Sequence, residues 1–157
     1  MSPICGIVSR NDSDVSSHID KMMGILGNKR EDSAWVVAGG SVKSRTEGTG
    51  QQAGLSMGQT SFRTREAKIE RPVFASSNNL SLLYEGNLYN RGELVSGEGS
   101  KPASDNNPAA VIVAGMLDEE YDGNLVTSAK LVASRLNGDY CLAVSDGSQI
   151  MVMRDPA

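Results

Sequence analysis

The chain has 157 residues, a hydrophobic fraction of 39%, 17 glycines and a formal net charge of −4. That length is one ordinary domain, which buries about 68–70% of the surface its unfolded chain exposes and needs no staples. The acidic balance argues against nucleic acid as a partner, and the longest apolar run, 109–117, is too short to span a membrane.

Ile4 to Val8 reads as a short buried strand followed by a polar turn. Val15, Ile19, Met22, Met23 and Leu26 then recur at helical spacing, with Ser13 or Asp14 as cap and Gly27-Asn28 as stop. Ala34 to Ala38 is a second strand. Gly39 to Gly54 is polar and glycine-rich and reads as a surface loop, because its Gly48-Thr49-Gly50 does not lie between a strand and a helix. Leu55 to Phe62 reads as a strand. Arg63 to Arg71 is the one basic stretch, either a solvated face or an anion-binding loop. Leu80 to Tyr84 is a strand running into Glu85-Gly86-Asn87. Asn90 with Glu93 has the form of a capping box for a short helix ending near Gly97. After a loop from Glu98 to Asn107, Pro108 suits a first helical turn, and Ala109 to Tyr121 is a helix. Leu125 to Leu136 is another. Asp139 to Ser145 and Gln149 to Arg154 form a hairpin across Asp146-Gly147. Runs of strands and runs of helices predict an α+β domain with helices on mainly antiparallel sheets.

Few residues offer chemistry. With one histidine, His18, and two distant cysteines, Cys5 and Cys141, neither a zinc site nor a Ser-His-Asp triad is expected, and no cofactor is implied. Two cysteines make no disulfide framework, and no secretory signal precedes Cys5, so a cytoplasmic setting is expected. The Asp118 to Gly123 cluster lacks the Glu that a calcium loop needs at its twelfth position, where Ala129 stands. Cys5, beside Gly6, has two readings. It is a small hydrophobe in an edge strand, or a nucleophile whose base is its own α-amine, a group that titrates at roughly 7.7–8.0.

Taken in order, the segments resemble the class II glutamine amidotransferase domain, one of the N-terminal nucleophile hydrolases. Ile4-Cys5-Gly6-Ile7-Val8 is similar to the family's opening Cys-Gly-Ile-Val. Arg30 to Ala34 resembles a shifted Arg-Gly-x-Asp-Ser-Ala, and Gly58 to Thr64 resembles Gly-His-x-Arg-(Tyr/Trp)-x-Thr. Arg71 to Phe74 stands where the family has Gln-Pro-Phe. Tyr84 to Asn90 with Glu93-Leu94, Ser104-Asp105, Leu136 to Tyr140 and Arg154-Asp155-Pro156 follow at the family's spacing.

The resemblance implies a four-layer αββα sandwich over 1–157 and hydrolysis of glutamine to glutamate and ammonia. It implies that Cys5 attacks the carboxamide, that Gly86 supplies an oxyanion-hole N–H, that Thr64 lines the pocket and that Asp105 holds the substrate's ammonium. The ammonia would pass to a synthetase or transferase domain or subunit. The chain is therefore expected to be a fragment, a separate subunit or a stand-alone relative, with homo-oligomerisation left open. Family domains run on past Arg-Asp-Pro, so an exposed sheet edge or a missing layer is also expected.

Three departures bear on activity. Four residues precede Cys5, so it has an α-amine only if residues 1–4 are a removed propeptide. The family's oxyanion Asn is Glu85, whose carboxylate has no N–H to donate; losing one such donor costs roughly 2.7–4 kcal/mol. The family's carboxylate-clamping Arg falls on Ser61, with Arg63 two residues along the same strand face as a substitute. A catalytically retired relative that binds an amino acid or a partner protein is the alternative to a working glutaminase. If Gly86 and Asp105 are site residues, alanine at either is expected to leave folding nearly intact.

Overall fold

The computed structural model describes residues 4–9, 11, 14–26, 33–38, 41–44, 54–61, 73–75, 80–95 and 107–156, with 33–38, 41–44, 61 and 73–75 described by their backbone course. Eight strands and four helices appear among them. They are β1 (Ile4–Val8), α1 (Ser16–Leu26), β2 (Ser33–Ala38), β3 (Ser41–Ser44), β4 (Leu55–Ser61), β5 (Val73–Ala75), β6 (Leu80–Leu88), α2 (Arg91–Leu94), α3 (Pro108–Glu120), α4 (Leu125–Arg135), β7 (Gly138–Ser145) and β8 (Ile150–Arg154). The chain is thus a mixed helix-and-sheet domain.

The strands form two four-stranded antiparallel sheets, ordered β1-β4-β2-β3 and β5-β6-β7-β8. Side-chain alternation along each strand decides what each face meets. Cys5 and Ile7 pack with Ile19 and Met23 of α1. Ile4 turns the other way and joins Leu55, Met57, Leu83, Ala143 and Ile150 in a cluster shared by the two sheets. Leu82, Tyr84, Leu88, Leu142 and Val144 face α3 and α4, where Val113, Leu117, Leu125 and Val132 are fully or almost fully buried.

Local chemistry sets the element ends. Asp14 Oδ1 accepts the Ser16 N–H at the start of α1, 2.8 Å away, and Ser13, the other candidate cap, lies outside the described residues. Asn107 Oδ1 accepts from Ala109 and Ala110, and Asn124 Oδ1 from Thr127, opening α3 and α4. The capping box at Asn90 does not form: that side chain makes no cap bond. It donates instead to the Arg135 carbonyl (2.9 Å) and accepts from the Asn137 N–H (3.1 Å). A tertiary partner has outcompeted the local one. The helix it begins is correspondingly short, ending at Leu94 and not near Gly97. The glycine-rich stretch expected as loop contains β3, paired with β2 from Trp35↔Ser44 to Ala38↔Ser41. β6 runs to Leu88, four residues beyond Tyr84, because β7 pairs with it throughout.

That extension depends on two glycines. Gly86 has φ +125°, and a Cβ there would lie 2.0 Å from the Asp139 carbonyl oxygen. A Cβ on Gly138 would lie 2.0 Å from the Asn87 carbonyl oxygen. The geometry thus makes Gly86 a structural requirement of the β6–β7 pairing whatever else it does, and alanine there is expected to destabilise the fold. Gly86→Ala should cost about 3 kcal/mol or more, from positive φ and overlap together. Gly138→Ala, with overlap alone, should cost about 1–3 kcal/mol. Gly92→Ala, which meets nothing within 4 Å, should be neutral or slightly stabilising. Urea denaturation of the three variants checks this, and equal stability of Gly86→Ala and wild type would contradict it.

Candidate functional site

Cys5 lies second in β1, opposite Gly58 of β4. A Cβ at Gly58 would sit 2.3 Å from Met23 Sδ and 3.3 Å from Cys5 Sγ, so a side chain there would have to displace Met23. The thiol faces α1, with Sγ 3.5 Å from Met23 Sδ. Ser56 and Thr60 share that face of β4 by alternation, and both hydroxyls are buried with no hydrogen-bond partner. The Cys5 backbone nitrogen lies in the peptide bond to Ile4, which pairs with Gln59 and packs in the intersheet cluster. Burial pushes the Cys5 thiol up from 9.0 to about 11, partly offset by a hydrogen bond from the Gly58 backbone. A thiol in that state is a poor nucleophile.

Glu85 and Gly86 lie on the other sheet. Together with Asn87, Arg91 and the start of α3 at Asn107, Pro108 and Ala109 they line a polar cleft of about 280 Å³. Several contacts hold this wall. Gln59 Nε2 donates to the Tyr84 carbonyl (3.2 Å), tying β4 to β6 one residue before Glu85. The Tyr84 ring stacks on Tyr140, centroids 6.3 Å apart, and its hydroxyl is buried without a partner. Beyond the cleft, the Tyr89 N–H donates to the Asn137 carbonyl (2.7 Å), Asn90 bridges to the same turn, and the Tyr89 hydroxyl donates to Asp139. Arg91 follows this anchored segment, and its Nε donates to the Leu88 carbonyl (3.4 Å).

The structure places Glu85 and Gly86 together in one cleft and Cys5 under α1. Among the described residues no hydrogen bond joins Cys5 to either, and Cys5 does not line the cleft. Arg63, Thr64 and Asp105 lie outside the described residues. Five residues line the cleft that sequence reasoning had not assigned to a site: Asn87, Arg91, Asn107, Pro108 and Ala109. Asn107 ahead of Pro108 carried a legible capping signal. Arg91 carried none, because its place in the cleft comes from the Asn90 bridge to a turn far away in sequence. No group of three or more His, Cys, Asp or Glu side chains among the described residues is arranged to hold a metal ion. No helix among them is long and apolar enough to cross a membrane.

The Cys5 environment has a measurable signature. At pH 8 a thiol titrating near 11 is about 0.1% thiolate, against about 10% for one at 9. Alkylation of Cys5 by iodoacetamide should be roughly 100-fold slower than that of an exposed cysteine. The folded state holds this proton more tightly than the unfolded one. Its contribution to stability is therefore full below pH 9 and is lost as pH rises through about 11. Cys5→Ala should remove that part of the alkaline destabilisation in pH-dependent melting; an unchanged alkaline limb would contradict it.

No protein-family model matches the chain, and no curated protein matches it in sequence. Among solved structures it is similar to the glutamine phosphoribosylpyrophosphate amidotransferase of B. subtilis, described in complex with ADP and GMP. The identity is 20% and the TM-score 0.72, over 99% of this chain and 37% of that one. It is also similar to a structure described as the allosteric regulatory enzyme of purine biosynthesis, at 20% identity and TM-score 0.73, with the same coverage of 99% and 37%. The chain thus spans just over a third of the length of these solved relatives. At this distance the likeness is one of fold alone.

Proposed function

We propose that the chain is a glutaminase domain of the class II amidotransferase type, releasing ammonia from glutamine for an acceptor in another domain or subunit, in the cytoplasm. The observation that carries this reading is the likeness over 99% of the chain to an amidotransferase, together with the ordered motifs from Ile4 to Pro156. The arrangement of α1, two facing sheets, and α3 with α4 supports the four-layer αββα reading of the domain. In this proposal Cys5 Sγ attacks the carboxamide carbon and the thiol proton passes to a base. The C–N bond then breaks as the nitrogen takes a proton and leaves as ammonia. Water hydrolyses the thioester and regenerates the thiol. Gly86 contributes its N–H to the oxyanion. Thr64 lines the pocket, Asp105 binds the ammonium and Arg63 stands in for the clamp missing at Ser61. Removal of residues 1–4 would free the Cys5 amine as base, and would also withdraw Ile4 from the intersheet cluster.

A second reading has its own support. The Cys5 thiol is packed on Met23 and raised to about 11, and its nitrogen lies in a peptide bond within β1. Those features suit a retired domain that keeps the fold and binds an amino acid or a protein partner.

Intact mass before and after incubation with an electrophilic glutamine analogue separates the two. A chain that begins at Cys5 and gains one adduct, lost in Cys5→Ala, is the outcome expected of the glutaminase. A chain that keeps Ile4, takes no adduct and releases no glutamate would leave only the binding reading.

A further inference from the structure

We propose that the chain pairs with a second copy of itself along the stacked edge strands β1 and β8, about a two-fold axis normal to both sheets. The inference is independent of the glutaminase reading and concerns a different face of the molecule. It begins with the sheet order, in which β1 ends one sheet and β8 ends the other. The two ends lie on the same side of the sandwich: a Cβ on Gly6 would sit 3.1 Å from Ile150 Cδ1, and Ile4 and Ile150 share the intersheet cluster.

Hydrogen bonding fixes which backbone groups point outward. The Ser9 N–H donates to the Gly54 carbonyl, and the Asp155 N–H to the Tyr140 carbonyl. Bonded pairs recur at every second residue of an antiparallel ladder. Cys5 and Ile7 are therefore bonded to β4, and Met151 and Met153 to β7, while Ile4, Gly6, Val8, Ile150 and Val152 turn their backbone polar groups to the open side. Among the described residues nothing bonds to them there. By alternation the same five residues face the space between the sheets. That seam is uncovered at its open end, where Val8 is 48% exposed and Val152 65%. Proteins usually blunt such an edge with lysine, proline or a bulge. Neither strand has one: they read Ile-Cys-Gly-Ile-Val and Ile-Met-Val-Met-Arg, and both registers run unbroken.

The edges suit a copy of themselves. Each strand has five residues with outward groups on its central one, Gly6 in β1 and Val152 in β8. A two-fold axis at these centres sets each strand antiparallel to its own copy, Gly6 opposite the copy's Gly6 and Val152 opposite the copy's Val152. One operation thus serves both edges, which is the self-complementarity of an isologous contact. A single extended peptide would pair with one edge and leave the other open. Charge agrees. The chain carries a net charge of −4, yet neither strand holds an acidic residue. Their one charge, Arg154, stands opposite the copy's Ile150 and not against itself. The contact is small: five residues span about 17 Å and stacked sheets lie about 10 Å apart. A face of that size falls short of the roughly 800 Å² per partner of a stable complex. A weak dimer is expected, with a Kd of about 10 µM to 1 mM.

The test is sedimentation equilibrium of the full chain across that concentration range, with amide hydrogen exchange measured at both ends of it. Wild type should dimerise as concentration rises. The Gly6 and Val152 amides should become protected with it, while those of Met151 and Met153, already bonded to β7, should not change. Val152→Lys and Val152→Glu each place like charges across the axis and should both be monomeric; their equimolar mixture should dimerise again. Leu131→Lys, at a 46% exposed position on α4, should dimerise like wild type. The inference is overturned if wild type stays monomeric at about 1 mM, if Val152→Lys dimerises like wild type, or if the mixture stays monomeric. A dimer whose Val152 amide exchanges as fast as the monomer's forms through another face and overturns it too. Should the Val152 variants fail to fold, exchange in wild type decides by itself.

Discussion

The pairing of β6 with β7 is the constraint on which the rest of the structure depends. It runs through eight residue pairs, from Ser81↔Ser145 to Leu88↔Gly138. One face of the pair carries Leu82, Tyr84, Leu88, Leu142 and Val144 into the helical side of the core. The other carries Leu83 and Ala143 against Leu55 and Met57 of the first sheet. Shifting the register by one residue would turn every one of these side chains to the wrong face. At its far end the two backbones come so close that only glycine fits at 86 and 138.

The candidate cleft is a by-product of that close approach. Past Gly86, Leu88 returns to the core, and Tyr89 and Asn90 are bonded to the turn between α4 and β7. The chain then starts α2 with Arg91 turned to the strand it has just left, its Nε on the Leu88 carbonyl. A glycine required for packing and the Arg91 guanidinium thus lie in one polar cavity. Catalytic families often exploit such places, since a backbone N–H exposed by a missing side chain is also a ready donor to an oxyanion. Gly86 can therefore be structural and functional together, and only its folding role is decided by the geometry.

Cys5 poses the opposite case. Its surroundings are well explained as packing: Met23 above, Gly58 beside it, Ile7 and Ile19 nearby. Desolvation favours the neutral thiol. Two buried hydroxyls without partners, on Ser56 and Thr60, are harder to explain in the same way, because each should cost free energy. They lie on the same face of β4 as Gly58.

What the sequence by itself determined was the kind and order of most elements. Alternation and helical spacing identified β1, α1, α3, α4 and the final hairpin, because those signals are local. The order of motifs pointed to the amidotransferase-like fold, which the likeness to solved amidotransferases supports at 20% identity. The tertiary structure alone decided the rest. β3 was not legible in a glycine-rich polar stretch, since its only reason to be extended is the ladder with β2. Asn90 has a helix-capping sequence but spends its side chain on a distant turn. The folding role of Gly86 was not legible, because a motif names the residue and not its neighbours; the Asp139 carbonyl 2.0 Å from its missing Cβ comes from another strand. Arg91 belongs to the cleft for the same reason. Local pattern reports which way a side chain leaves its own strand or helix, whereas what it meets there is set by segments that the chain brings back from far away.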